Sequence, residues 1–257
     1  MSTLLAASLA TLVFCAPGYP GAAGDAQPLM DQFASAAAAA SGWPAGSLAA
    51  VYDPSEDGSL AKLRAPDAVL AFVPYAFFVE HAAELHLTPL VQGEVSDVGS
   101  QERWTLVAKA GRVTGPASMA GFTLLSAAGY APDFIRNTAL KGWALPPDVK
   151  IQATGQVLSA LRRVAAGEPV AVLLDQTQAA ALPSLPFAAE LRTVTQSPQL
   201  PVAIIVVVDS RLPAARAHSL QQGLLKMGQA PRAADSLAPL HLHGFVLPML
   251  PAGGASP

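Results

Sequence analysis

Short apolar runs rich in β-formers alternate along this chain with stretches of helical periodicity, and the pattern occurs twice. Strands are predicted at residues 11–16, 47–52, 68–73 and 88–92, separated by helices at 25–40, 55–63 and 76–85. Further on, runs at 122–125, 149–153, 169–174 and 191–195 are separated by helices at 133–140, 156–166 and from 179. Strand–helix–strand units at this spacing imply an α/β protein with largely parallel pairing. Two long apolar strands, 104–108 and 201–208, bracket the second set. That placement predicts an inserted lobe reached by two crossings, with mixed sheets and a cleft between the lobes. The expected division is residues 1–103 plus 206–257 for lobe 1 and 104–205 for lobe 2.

Composition narrows the function classes. The chain has 257 residues, 52% of them apolar, so a sizeable core can be buried. Charged residues are only 13%, the net charge is −3 and no basic cluster stands out, which argues against nucleic acid as a partner. Cys15 is alone, so neither an intrachain disulfide nor a Cys-based metal cluster can form. As a residue of a buried strand, its thiol is expected to be inert. Residues 4–14 are apolar like a signal-peptide core, but no basic residue precedes them. Phe14 is too bulky for the residue before a lipoprotein cysteine, so 11–16 is read as the first buried strand. No run reaches the length of a membrane span.

Chemistry concentrates after strand ends. The 122–125 run opens into Ser126-Ala127-Ala128-Gly129-Tyr130, a small-residue turn before a helix. Such a turn leaves backbone N–H groups open to an anion. Ser126 could add its hydroxyl, with the N–H groups of Gly129 and Tyr130 completing a cradle; equally, it could only cap the helix. Tyr19 and Tyr75 each follow a strand, where a tyrosine can close over a ligand or pack on the neighbouring proline. Asp175 and Gln176 follow the 169–174 strand. Asp175 is either a ligand contact or an N-cap, and it is the one carboxylate placed in the cleft. A carboxylate there would repel a dianion unless the ligand carried a proton or an amine. Arg162 and Arg163 read as a solvated helix face, and Val157, Leu158, Leu161 and Val164 as the buried one. His241 and His243 flank Leu242, a polar strand face rather than a metal site. The other histidines are assigned to helix surfaces. No nucleophile elbow, Walker loop, zinc-protease motif or dinucleotide fingerprint is present.

Several of these segments, in this order, resemble a known family. They are Tyr19-Pro20-Gly21 after the first strand, Val73-Pro74-Tyr75 after the third and the crossing at 102–108. Gly121-Phe122-Thr123 with the Ser126–Tyr130 turn follows, and then residues 155–161 with Asp175 beyond them. The chain resembles type 2 periplasmic solute-binding proteins of the phosphate/phosphonate type that serve ABC transporters, over nearly its whole length after about residue 11. The resemblance implies two α/β lobes gripping a small molecule, a membrane permease as partner, a monomer, no cofactor and a periplasmic or other extracytoplasmic location. Carried over by position, it assigns ligand contact to Tyr19, Tyr75, Ser126, Gly129 and Asp175. The turn has Ala127, Ala128 and Gly129 where phosphonate binders usually show several Ser and Thr residues. Two other roles share this fold: a ligand-sensing domain of a signalling system, and a small-molecule enzyme working through Asp175.

Overall fold

A computed structural model describes residues 9–18 and 23–251. Among the described residues thirteen strands follow one another: β1 (Ala10–Cys15), β2 (Leu48–Asp53), β3 (Ala68–Pro74), β4 (Leu87–Val95), β5 (Gln101–Glu102), β6 (Thr105–Lys109) and β7 (Thr123–Ser126), then β8 (Lys150–Ala153), β9 (Val170–Leu174), β10 (Leu191–Gln196), β11 (Leu200–Pro201), β12 (Ala203–Val208) and β13 (Leu242–Val246). The principal helices are α1 (Ala23–Ala40), α2 (Glu56–Leu63), α3 (Tyr75–His81), α4 (Pro132–Phe134), α5 (Val157–Ala166), α6 (Gln176–Ala180) and α7 (Ala214–Met227).

The strands form two large sheets. The first has the order β13-β4-β12-β3-β1-β2, the second β10-β6-β9-β7-β8. In the first, β1 pairs in parallel with β2 and β3, and β12 runs antiparallel beside β3. In the second, β7 pairs in parallel with β8 and β9, and β6 runs antiparallel beside β9. The doubled element order is thus a doubled topology. Each sheet has a parallel 2-1-3 half closed by one antiparallel strand. The sheets are more mixed than the strand–helix alternation alone suggests. The crossing strands return from the other sheet and meet their neighbours head to tail.

Between the sheets the two passes of the chain pair with each other. Glu102 of β5 lies opposite Leu200 of β11, and Gln101 opposite Pro201. Ser197 ties the passes again: its N–H donates to the Trp104 carbonyl at 2.8 Å, and its hydroxyl accepts the Trp104 N–H at 2.9 Å. The strand expected at 104–108 therefore begins at Thr105, after a separate two-residue rung. The strand expected at 201–208 likewise starts at Ala203.

Packing follows the pattern of apolar residues. On one face of the first sheet, Phe14, Phe33, Phe72 and Phe245 form an edge-to-face cluster under α1 and α7. Among the described residues no helix is long and apolar enough to cross a membrane. Leu158 is exposed, because the apolar stripe of α5 runs through Ala160, Leu161 and Val164. Arg162 and Arg163 face solvent, as expected. His81 is buried against Phe77 with Nε2 3.0 Å from Glu56, not on a surface as its spacing suggests. His241 has φ +54° and precedes β13, so it does not share a strand face with His243.

Candidate functional site

In a 2-1-3 sheet the chain leaves the adjacent strands 1 and 3 in opposite directions, and their C-terminal ends open a crevice. Here two such crevices face each other. The first sheet contributes the ends of β1 and β3, hence Pro17, Pro74 and Tyr75. The second contributes the ends of β7 and β9, hence residues 126–130 and Asp175. A cavity of about 10 Å³ lies between them, walled by Pro17, Pro74, Tyr75, Ala76, Glu102, Trp104, Ala127, Ala128, Tyr130 and Val202. That is room for about one water molecule.

The lobes meet closely around it. Gly18 has φ +86°, and a Cβ there would collide with the Ala127 carbonyl oxygen, so only glycine permits this backbone approach. Tyr75 packs on Phe78 of its own helix and edge-on to Phe134 from beyond β7, which in turn meets Trp104 at 5.4 Å. One buried cluster accordingly runs through both sheets. Glu80 of α3 adds a polar tie. Its carboxylate accepts the N–H groups of Asp133 and Phe134, at 3.0 and 3.3 Å, where α4 begins. Burial holds Glu80 above the usual carboxylate range, against the pull of those two N–H donors.

Tyr75 is 3% exposed and lines the cavity, its phenol raised by burial. Tyr130 lines it from the opposite wall. Ser126 is fully buried: its hydroxyl donates to the Leu173 carbonyl at 2.8 Å and accepts the Ala128 N–H at 3.2 Å. It thus ties β7 to β9 and shapes the turn. Gly129 also serves packing, for a Cβ there would strike the Gln152 backbone. The open N–H groups expected in this turn are largely paired. Gly129 donates to the Ser126 carbonyl, Ala131 to that of Ala128, and the α4 start to Glu80. The helix expected at 133–140 is a three-residue α-helix running into a π-turn, Ile135–Ala139. Asp175 caps α6, accepting the Gln178 N–H at 2.7 Å, while Gln178 reaches back to the Asp175 N–H. Gln176 accepts the Arg103 N–H at 3.3 Å and so fastens α6 to the crossing. Tyr19 lies outside the described residues.

Two wall residues were missing from the sequence expectation, Glu102 and Trp104. Asp175 is not the only carboxylate here. Glu102 is 5% exposed, accepts the Gln176 N–H at 3.4 Å and is hydrogen-bonded by the Trp104 side chain. Burial, and then the nearby Asp175 charge, push its carboxyl up to about 8. Asp175 itself is raised by burial, partly offset by the N–H groups of Gln178 and Thr177. The signal lay in the sequence as an acid opening an otherwise apolar strand. Its inward direction depends on the pairing with Leu200, which no local pattern shows. Cys15 is buried and pushed up to about 12, mainly by desolvation, so it is no nucleophile. Among the described residues no group of His, Cys, Asp and Glu could hold a metal.

Two α/β sheets, a two-pass ribbon between them and facing switch-point crevices define a two-lobed periplasmic binding protein. A family model described as "ABC transporter, phosphonate, periplasmic substrate-binding protein" matches residues 95–249, more than half of the chain. The chain belongs to that family. The family is one of substrate-binding proteins, not enzymes. Membership implies a small-molecule solute, a membrane permease as partner and a place outside the cytoplasm. Among solved structures, a Xanthomonas citri protein bound to chloride ion is similar at 17% identity and TM-score 0.69, covering 94% of this chain and 92% of that one. A binding protein component of an ABC phosphonate transporter from Pseudomonas aeruginosa is similar at 14% identity and TM-score 0.59, covering 92% and 81%. A Prochlorococcus marinus protein in complex with methylphosphonate is similar at 12% identity and TM-score 0.58, covering 94% and 93%. At such identities the likeness concerns the fold. No curated protein matches.

Proposed function

We propose that this protein captures a small, phosphonate- or phosphate-like oxyanion between its lobes and presents the closed form to an ABC transporter permease in the periplasm. The observation that carries this reading is the pair of switch-point crevices facing one another across a cavity, with Tyr75, Glu102, Trp104 and Tyr130 in its wall. Asp175 and Gln176 stand behind that wall, while Ser126 and Gly129 shape the turn that forms its far side. Tyr19, the residue after Gly18 in the sequence, is assigned to ligand contact on the family resemblance alone. The lobes we propose are residues 1–103 plus 206–257 and residues 104–205. The first cut falls at the ribbon and the second a few residues inside β12. The protein acts as a monomer.

The cavity has no room for such a solute as it stands, so capture requires the lobes to part and close again. A ligand that binds only the folded protein stabilises it by about 2.7 kcal/mol at a hundred times its Kd. Methylphosphonate, phosphate and aminomethylphosphonate should each be tried in thermal unfolding of the full chain. A concentration-dependent rise in Tm with at least one of them is expected. No rise with any, at millimolar concentration and across pH 5–9, overturns the reading.

A further inference from the structure

The cavity wall lacks what an oxyanion site ordinarily supplies. Among the described residues none of Lys, Arg or His lines it. The N–H groups of Ala128, Gly129, Ala131, Asp133 and Phe134 are turned to Ser126, Ala128 and Glu80. In their place stands an acid. Glu102 reaches the cavity from the crossing, and Asp175 lies beside it at the α6 cap. Taking two carboxylates out of water with no cation between them is costly, and the cost falls when one is protonated.

We propose that Glu102 is the specificity-determining residue of this cleft: it stands in the wall as a neutral acid and gives its O–H to an oxygen of the bound oxyanion, so that the cleft holds its ligand only with that proton in place. The inference rests on the interlobe cavity being the ligand site. Both acids accept an α6 N–H, Glu102 that of Gln176 and Asp175 that of Gln178; the proton is assigned to Glu102 because it alone of the two lines the cavity, where an O–H can meet a ligand. Two donors that face Glu102, the Gln176 N–H and the Trp104 side chain, favour its ionised form and are outweighed by burial and the Asp175 charge. β11 contributes Leu200 opposite it, α3 the Tyr75 phenol, the turn after β7 Ala127, Ala128 and Tyr130, and α6 Asp175 and Gln176. The neighbouring Arg103 side chain is exposed. The position of the Glu102 carboxyl, near 8, agrees with a protonated group at neutral pH. Where Glu102 starts ionised, above that pH, the proton comes from solvent and stays on the carboxyl in the complex.

Glutamine copies the neutral acid in shape and as a donor but cannot ionise. Binding of methylphosphonate should therefore be measured by calorimetry at pH 6 and pH 9 for the wild type, Glu102→Gln and Glu102→Leu. Comparing variants on one probe cancels the probe's own ionisation. At pH 6 the wild type and Glu102→Gln should bind within about threefold of each other. At pH 9 the wild type should be about tenfold weaker than Glu102→Gln, since each pH unit above an essential acid's pKa costs about a factor of ten. Glu102→Leu should be weaker at both. Asp175→Asn gives a second route to the same result: with the neighbouring charge gone, Glu102 ionises more easily and the wild-type loss should move to lower pH. If wild type and Glu102→Gln keep the same affinity ratio at both pH values, Glu102 carries no such proton and the proposal falls while solute capture stands. If methylphosphonate binds no variant at either pH, the proposal falls for this ligand. Absence of binding by phosphate and aminomethylphosphonate as well removes the solute-capture reading itself.

Discussion

Asp175 and Glu102 show how two acids a short way apart take different parts. Asp175 accepts the N–H groups of Gln178 and Thr177, and its own N–H donates to the Gln178 side chain. Its replacement by Asn should keep the cap and cost little, whereas Asp175→Ala should cost about 1 kcal/mol, as for other lost N-caps; chemical denaturation of the two variants without ligand separates capping from any part in binding. Glu102 is different because burial, and then the Asp175 charge, outweigh the Gln176 N–H and the Trp104 side chain that bond its carboxyl. In the unfolded chain it titrates near 4.5, and in the folded protein near 8. A group raised on folding favours the native state most when protonated in both states, so the benefit is complete below 4.5. It then declines by about 1.4 kcal/mol per pH unit as pH rises towards 8, and levels off above. Relative to Glu102→Gln, wild-type stability should fall across that window. Parallel curves for the two proteins between pH 5 and 8 would mean that Glu102 is not held up as described.

At the scale of elements, the short α4 start is where the lobes are fastened. Glu80 from α3 fills the N–H groups there, as an anion would, while Tyr75 and Phe134 bury the contact beside it. Removing the carboxylate leaves the Asp133 and Phe134 N–H groups without it, and Glu80→Ala should loosen closure before it unfolds either sheet. Small-angle scattering should show a larger radius of gyration in the variant without ligand; an unchanged radius would mean the aromatic contact alone holds the lobes together. The elements themselves were largely legible in the sequence. Runs such as 169–174 and 201–208 are apolar throughout, and the second is dominated by Val and Ile, so both suit a buried strand. Less was legible where a residue's direction is set by a distant partner. Leu158 is turned out by the docking of α5, and Glu102 is turned in by Leu200. Ser126 and Gly129 read as ligand contacts from their place in a small-residue turn. Their tight contacts are with Leu173 and with the Gln152 backbone, which a linear reading cannot place beside them.

For the molecule as a whole, closure depends on how nearly the two backbones can approach. Gly18 reaches the Ala127 carbonyl only because it has no Cβ and accepts φ +86°. Gly18→Ala would add both backbone strain and a collision, but only where the lobes meet. The open form, with that contact parted, feels the strain alone. The substitution should therefore shift the equilibrium towards the open form more than it lowers stability. A ligand that must be enclosed then loses affinity by the differential cost alone. A penalty of 1.4 kcal/mol confined to the closed form corresponds to about a tenfold rise in Kd. Association tells the two forms apart further. With space for about one water between closed lobes, the wild type must open before a solute enters, and entry should be slower than for a cleft that stands open. Stopped-flow binding of methylphosphonate should thus show Gly18→Ala associating no more slowly than wild type and dissociating faster. A slower association with unchanged dissociation would place the cost of this glycine in the open form and remove Gly18–Ala127 as the point at which the lobes close.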